Sequence, residues 1–134
     1  MAVLALPHAA ASATVARRRL VTDLRQEGVP SAVIADAELV LAEMVGNAVR
    51  HARPLPGGTL YAAWEVDDGR VVVRVTDGGG SSRPTVQHQV GGRVETADAE
   101  RGRGLAIVEA VAAEWGAERT GRGHRTWAVI DLTG

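Results

Sequence analysis

The sequence predicts an α+β fold, a two-layer sandwich in which about three helices cover one face of a mixed, mostly antiparallel sheet. Two observations carry that expectation. Residues 31–52 place Val33, Ile34, Ala37, Val40, Leu41, Met44, Val45, Ala48 and Val49 at helical spacing, the pattern of a helix with one buried face. Residues 59–66 and 70–76 are two apolar, partly β-branched stretches separated by Asp67-Asp68-Gly69, the composition of a hairpin with a tight turn. Helices and strands in this order pack most simply as helices against one sheet face.

The remaining elements follow in chain order. Residues 2–6 read as a short strand ended by Pro7. A helix is expected over about residues 9–26, with Val15, Leu20, Val21 and Leu24 as its apolar stripe and Gly28 and Pro30 as its stop. Ser31 is placed to N-cap the second helix, and Pro54, Pro56, Gly57 and Gly58 end it. Val71-Val72-Val73-Arg74-Val75 reads as a central strand. Residues 78–101 show little periodicity and read as a long loop, of the length usually reserved for function. A third helix is expected from about 104 to 115, then short strands near 117–120 and 125–132. Trp64, Trp115 and Trp127 are expected in the core or at its edge. No repeat or linker divides residues 1–134, so one domain is expected.

Composition narrows the chemistry. With 46% apolar residues the chain can bury a core. Its net charge of −1 gives no drive towards nucleic acid or membrane, and Arg17-Arg18-Arg19 reads as a solvated helix face. No apolar run reaches the ~18 residues of a membrane span, and Met1–Leu6 lacks the basic start of a signal peptide; a cytoplasmic protein is expected. The absence of Cys removes disulfides, thiolate metal sites and a Cys nucleophile. Lys is absent too, which excludes a Walker A loop, the strand Lys of eukaryotic-type kinases and Schiff-base catalysis. His8, His51, His88 and His124 show no metal-site spacing.

Three stretches can carry chemistry. Glu43 and Asn47 lie four apart on the second helix, one above the other, with Asp36 and Arg50 on the same stripe. A carboxylate there can take a proton, and a carboxamide oxygen can hold a hydrated Mg²⁺. Asp77 ends a strand and is followed by Gly78-Gly79-Gly80, so the backbone can approach a ligand while the carboxylate accepts from an exocyclic amine such as adenine N6. Arg101-Gly102-Arg103-Gly104-Leu105 opens an apolar helix whose free N–H groups attract phosphate. It lacks the third Gly and the leading strand of a dinucleotide fingerprint. Each stretch alone also fits an ordinary polar helix pair, an Asp-Gly turn or a helix start.

In this order, the three stretches resemble the boxes of the histidine-kinase-like (GHKL) ATPase superfamily and its Bergerat ATP-binding fold. Glu43, Asn47 and Ala48-Val49-Arg50-His51-Ala52 match the N box. Asp77 and Gly79 match the first glycine box, and Gly102-Arg103-Gly104-Leu105 the second. The resemblance covers almost the whole chain, and within the superfamily the chain is similar to the stand-alone anti-sigma-factor serine/threonine kinases. It implies ATP and Mg²⁺ as ligands, Glu43 as general base, Asn47 as the Mg²⁺ ligand, Asp77 reading adenine with Gly79 beside the base, and residues from about Ser81 to Arg101 as an ATP lid. Arg101 and Arg103 are candidates to neutralise phosphate charge. The closing stretch departs from the family. Aligned on Trp127, Arg125 stands where the family carries a Thr, and its charge is expected to substitute for the hydroxyl. Gly46, inside the N-box helix, costs about 1 kcal/mol of propensity relative to Ala.

Two activities follow from the resemblance. One is phosphorylation of an anti-anti-sigma partner, with or without sequestration of a sigma factor. The other is a nucleotide-dependent binding module with little phosphoryl transfer. A metabolic kinase or simple hydrolase fits less well, because no second domain is left to hold a small substrate. The resemblance further implies a homodimer, which is also the commonest assembly.

Overall fold

A computed structural model of the protein describes residues 1–80, 87–90, 102–121 and 123–132, with the backbone alone for 87–90 and 102–105. The elements run β1 (Ala2–Pro7), α1 (Ala11–Gln26), α2 (Ser31–His51), β2 (Thr59–Asp67), β3 (Arg70–Asp77), β4 (Gln87–Val90), α3 (Gly102–Val111), β5 (Glu114–Arg119) and β6 (His124–Asp131). The strands form one six-stranded sheet in the order β1-β2-β3-β6-β5-β4. Every described pairing is antiparallel, so the expected mixture narrows to the antiparallel part.

Alternation along β3 explains why it is central. Val71, Val73 and Val75 are buried towards the helices, while Val72, Arg74 and Thr76 face the other side of the sheet. The β2–β3 hairpin closes through Asp68 (φ 50°) and Gly69 (φ 74°), two successive left-handed residues whose twist matches that of the flanking strands. α2 buries Val33, Ile34, Ala37, Val40, Leu41, Met44, Val45 and Ala48, and packs against α1, α3 and β3. Trp64 and Trp115, each 1% exposed, complete the core, and the Trp64 indole N–H donates to Asp23 of α1 at 3.1 Å. Trp127 is half-buried on the opposite sheet face, its ring lying against Gly116.

Three boundaries differ from expectation. Pro30, not Ser31, occupies the N-cap of α2; its carbonyl accepts from the N–H groups of Val33 and Ile34, each at 3.0 Å, and no side chain caps the helix. α3 stops at Val111 and does not reach Trp115, because the Ala113 N–H bonds the Val129 carbonyl at 2.9 Å and the chain then pairs with β6. Within the expected long loop, Gln87–Val90 forms β4, an edge strand on β5. No helix among the described residues is long and apolar enough to cross a membrane.

Candidate functional site

Asp77 occupies the position where the alternation of β3 would place a fourth core residue. It is only 4% exposed, and a buried carboxylate needs hydrogen-bond partners. The Gly79 N–H donates to its Oδ1 at 2.7 Å. That short turn depends on Gly79 adopting φ +87°, where a side chain would be strained.

The same turn is laced to the exit of α2. The Gly78 N–H donates to the Arg53 carbonyl at 2.7 Å, and the Arg53 N–H to the Gly79 carbonyl at 2.9 Å. A Cβ at Gly78 would overlap the Pro54 carbonyl, so only Gly permits this approach. One helical turn back, the His8 ring bonds the Ala48 carbonyl at 2.9 Å and ties the end of β1 to the same region. These contacts anchor the last turns of α2, which carry Asn47 and, one turn earlier, Glu43, beside the end of β3. Glu43 and Asn47 are both half-buried.

Asn47 Oδ1 accepts from Arg50 Nη2 at 3.3 Å. Gly46 belongs to the same arrangement: the three described atoms nearest to a Cβ there all belong to the Arg50 guanidinium, with Nη1 at 3.0 Å. The guanidinium end that a Cβ at Gly46 would meet belongs to an exposed, flexible side chain. Gly46→Ala is expected to stabilise the fold by up to about 1 kcal/mol through helix propensity, with Arg50 shifting by a few tenths of an ångström. Thermal unfolding of the variant checks this, and a lower midpoint would show that Arg50 cannot move.

Arg125 lies near the start of β6. It pairs with Thr76 across β3–β6, so its side chain projects from the sheet face opposite the helices, where its guanidinium lies 3.6 Å from Glu118. It does not share the sheet face of Asp77. His124 does share it, although its residue type and spacing alone do not single it out. His124 is the direct register partner of Asp77, and its Nδ1 lies 3.9 Å from Asp77 Oδ1, with both side chains largely buried. Thr126, the partner of Val75, shares this face. A signal was present: Ile130, Ala128, Thr126 and His124 form one period-2 series, and the first two are core residues.

The second glycine stretch is seen in part. α3 begins at Gly102 and packs against α2, which places the backbone of Gly102, Arg103, Gly104 and Leu105 in its first turn. Their side chains, Arg101 and the lid residues other than 87–90 lie outside the described residues.

A cavity of about 610 Å³ lies at the other end of the β2–β3 hairpin, lined by Asp23, Glu27, Trp64, Glu65 and Asp67 among others. Its acidic wall, with Arg19 as the cationic residue, is unsuited to a triphosphate.

The family model for the histidine kinase-like ATPase domain matches residues 6–130. Among solved structures, the chain is similar to the RsbU and RsbW domains of Rv1364c from Mycobacterium tuberculosis, with a TM-score of 0.67 and 23% identity. That match covers 98% of this chain and 32% of the other, so the likeness is one of fold to about a third of a longer protein. Curated protein sequences give no significant match.

Proposed function

The chain belongs to the histidine kinase-like ATPase domain family, and from that membership we propose that it binds ATP with Mg²⁺ and phosphorylates a serine or threonine of a regulatory partner. The partner class is an anti-anti-sigma protein, with a sigma factor as the protein released or held. A cytoplasmic homodimer is part of the same reading. The observation that carries it is the buried Asp77 carboxylate, held by Gly79 and laced through Arg53 to the helix bearing Glu43 and Asn47.

The residues fit the ligands. Asp77, acceptor-only when ionised, matches an exocyclic amine and repels a carbonyl, which favours adenine over guanine. Its close glycines leave room for a flat base. Asn47 Oδ1 is a hard oxygen on a half-buried helix face; it already accepts a cationic donor, Arg50, which must swing away for Mg²⁺ to bind there. Mg²⁺ when bound supplies positive charge to the phosphate oxygens. The first-turn N–H groups of α3, opened by Gly102 and Gly104, offer donors for phosphate, and Arg103 and Arg101 are the nearby cations in sequence.

Glu43 takes the proton of the partner's hydroxyl. The hydroxyl oxygen then bonds to the γ-phosphorus as the bond to the ADP oxygen breaks, and ADP leaves with that electron pair. The protein's part is mainly orientation and charge compensation. Glu43→Gln keeps the size and removes the base. It is expected to lower phosphoryl transfer about 100-fold or more while changing ATP affinity less than about threefold. Label transfer from [γ-³²P]ATP to a co-purified partner, with calorimetry on the same variant, tests this. Equal loss of both would assign Glu43 to binding instead.

The placement of Arg125 favours a second reading. With that charge on the opposite face, Arg125 does not substitute for the family's hydroxyl, and Thr126 is the hydroxyl residue of the closing stretch on the face of Asp77. The chain would then hold a sigma factor with nucleotide as a conformational ligand. Recovery of a sigma factor with no phosphorylated protein selects that reading; recovery of a phosphorylated partner selects the kinase.

A further inference from the structure

We propose that Arg50 is an internal rival of Mg²⁺: its guanidinium holds the Asn47 amide oxygen that the metal needs, and so sets the metal dependence of nucleotide binding. The inference rests on the reading of Asn47 as the Mg²⁺ ligand and deepens it. Asn47 and Arg50 are three residues apart on α2, which puts their side chains side by side on one helix face. Arg50 Nη2 donates to Asn47 Oδ1 at 3.3 Å. Among the described residues Arg50 forms no ion pair with a carboxylate, so the carbonyl dipole of Asn47 is what meets its charge.

A second, independent feature places the guanidinium there. Described atoms nearest to a Cβ at Gly46 are Nη1, Nη2 and Cζ of Arg50, at 3.0, 3.4 and 3.5 Å. The side chain thus folds back along the helix over Gly46 and onto Asn47, although its exposure would let it extend into solvent. Glycine is a poor helix former at an interior position, and here its missing side chain leaves the space that the guanidinium fills.

The two cations compete for one oxygen. Arg is always charged and has only donors, so it accepts nothing in exchange. Held on the same amide oxygen, guanidinium and Mg²⁺ repel each other. The guanidinium sits on an exposed stem and is the one that leaves. Metal binding therefore draws only on the fraction of molecules in which Arg50 has swung away. A guanidinium seated on Asn47 about two thirds to nine tenths of the time lowers the apparent metal affinity about threefold to tenfold.

Arg50→Met keeps the aliphatic stem and a good helix former and removes the donors. The test measures ATP binding to wild type and variant by calorimetry, once with Mg²⁺ and once with EDTA. The variant is expected to bind ATP with Mg²⁺ about threefold to tenfold more tightly than wild type, with metal-free affinity changed less than about twofold. Equal or weaker binding of ATP with Mg²⁺ overturns the proposal. So does a larger metal effect that comes from weaker metal-free binding alone, since that would put Arg50 on the phosphates. Wild type offers a reading that needs no variant: the Arg50 Nε–H resonance is expected to shift when Mg²⁺ is added to the ATP-bound protein, and a resonance that stays in place counts against displacement. Absence of any adenylate binding to wild type would overturn the functional reading itself, and this proposal with it; ATP binding whose metal dependence ignores Arg50 would overturn only the role of Arg50.

Discussion

Asp77→Asn is expected to reduce ATP affinity about 100-fold or more and to narrow or reverse the preference over GTP. In wild type one carboxylate oxygen is engaged by the Gly79 N–H at 2.7 Å. An asparagine keeps that bond by pointing its carbonyl oxygen at Gly79, which turns its NH₂ towards the base. A donor then faces the adenine amine, and a charge-assisted hydrogen bond is replaced by a donor–donor contact in a site only 4% exposed. The difference is about 3 kcal/mol or more, which is about two decades of affinity. The same NH₂ suits the guanine carbonyl. Calorimetric titration of the variant with ATP and GTP reads both changes. Unchanged ATP affinity would remove Asp77 from the base site.

The second large effect is expected at Gly123. A Cβ there overlaps the Asp77 carbonyl and approaches the Gly78 Cα at 3.1 Å; these are backbone atoms that cannot swing aside. Gly123→Ala is expected to force the start of β6 away from the end of β3, at about 3 kcal/mol in stability, and to abolish ATP binding by displacing Asp77 and His124. Gly121→Ala is the control, because a Cβ at Gly121 meets nothing within 4 Å. It should fall within about 0.5 kcal/mol of wild type. Denaturant unfolding of the two variants side by side checks the pair. Similar stabilities would mean that the β3–β6 junction is looser than described.

Much of the fold is legible in the chain because local pattern and tertiary burial agree. The apolar spacing of α2 and its buried face coincide residue for residue from Val33 to Ala48. Asp68-Gly69 is a turn signal whose backbone angles follow from its composition. The failures occur where pairing, not pattern, decides. Gln87-His88-Gln89-Val90 has no strand signature, and it becomes β4 by pairing with the edge of β5. Trp115 continues an apparently helical run, yet it lies in β5 because the strand register with Ala128 buries it.

The candidate site divides in the same way. Glu43, Asn47 and Asp77 stand out because residue type and spacing carry their chemistry. Alignment on Trp127 points to Arg125, but such an alignment ignores which sheet face a residue occupies. A one-residue shift along a strand turns a side chain to the other face, and that shift exchanges Arg125 for His124. The lacing of Arg53 to Gly78 and Gly79 is a backbone contact between distant segments and leaves no mark in side-chain chemistry.

The central claim is that the end of β3, and not the acidic cavity at the far end of the hairpin, faces the adenine ring. Photolabelling with 2-azido-ATP and Mg²⁺, followed by peptide mapping, addresses it most directly. The account predicts ATP-competable labelling confined to peptides around Asp77 and His124 or the exit of α2. Labelling of the peptide around Trp64 and Asp67, or labelling that excess ATP does not suppress, would contradict it.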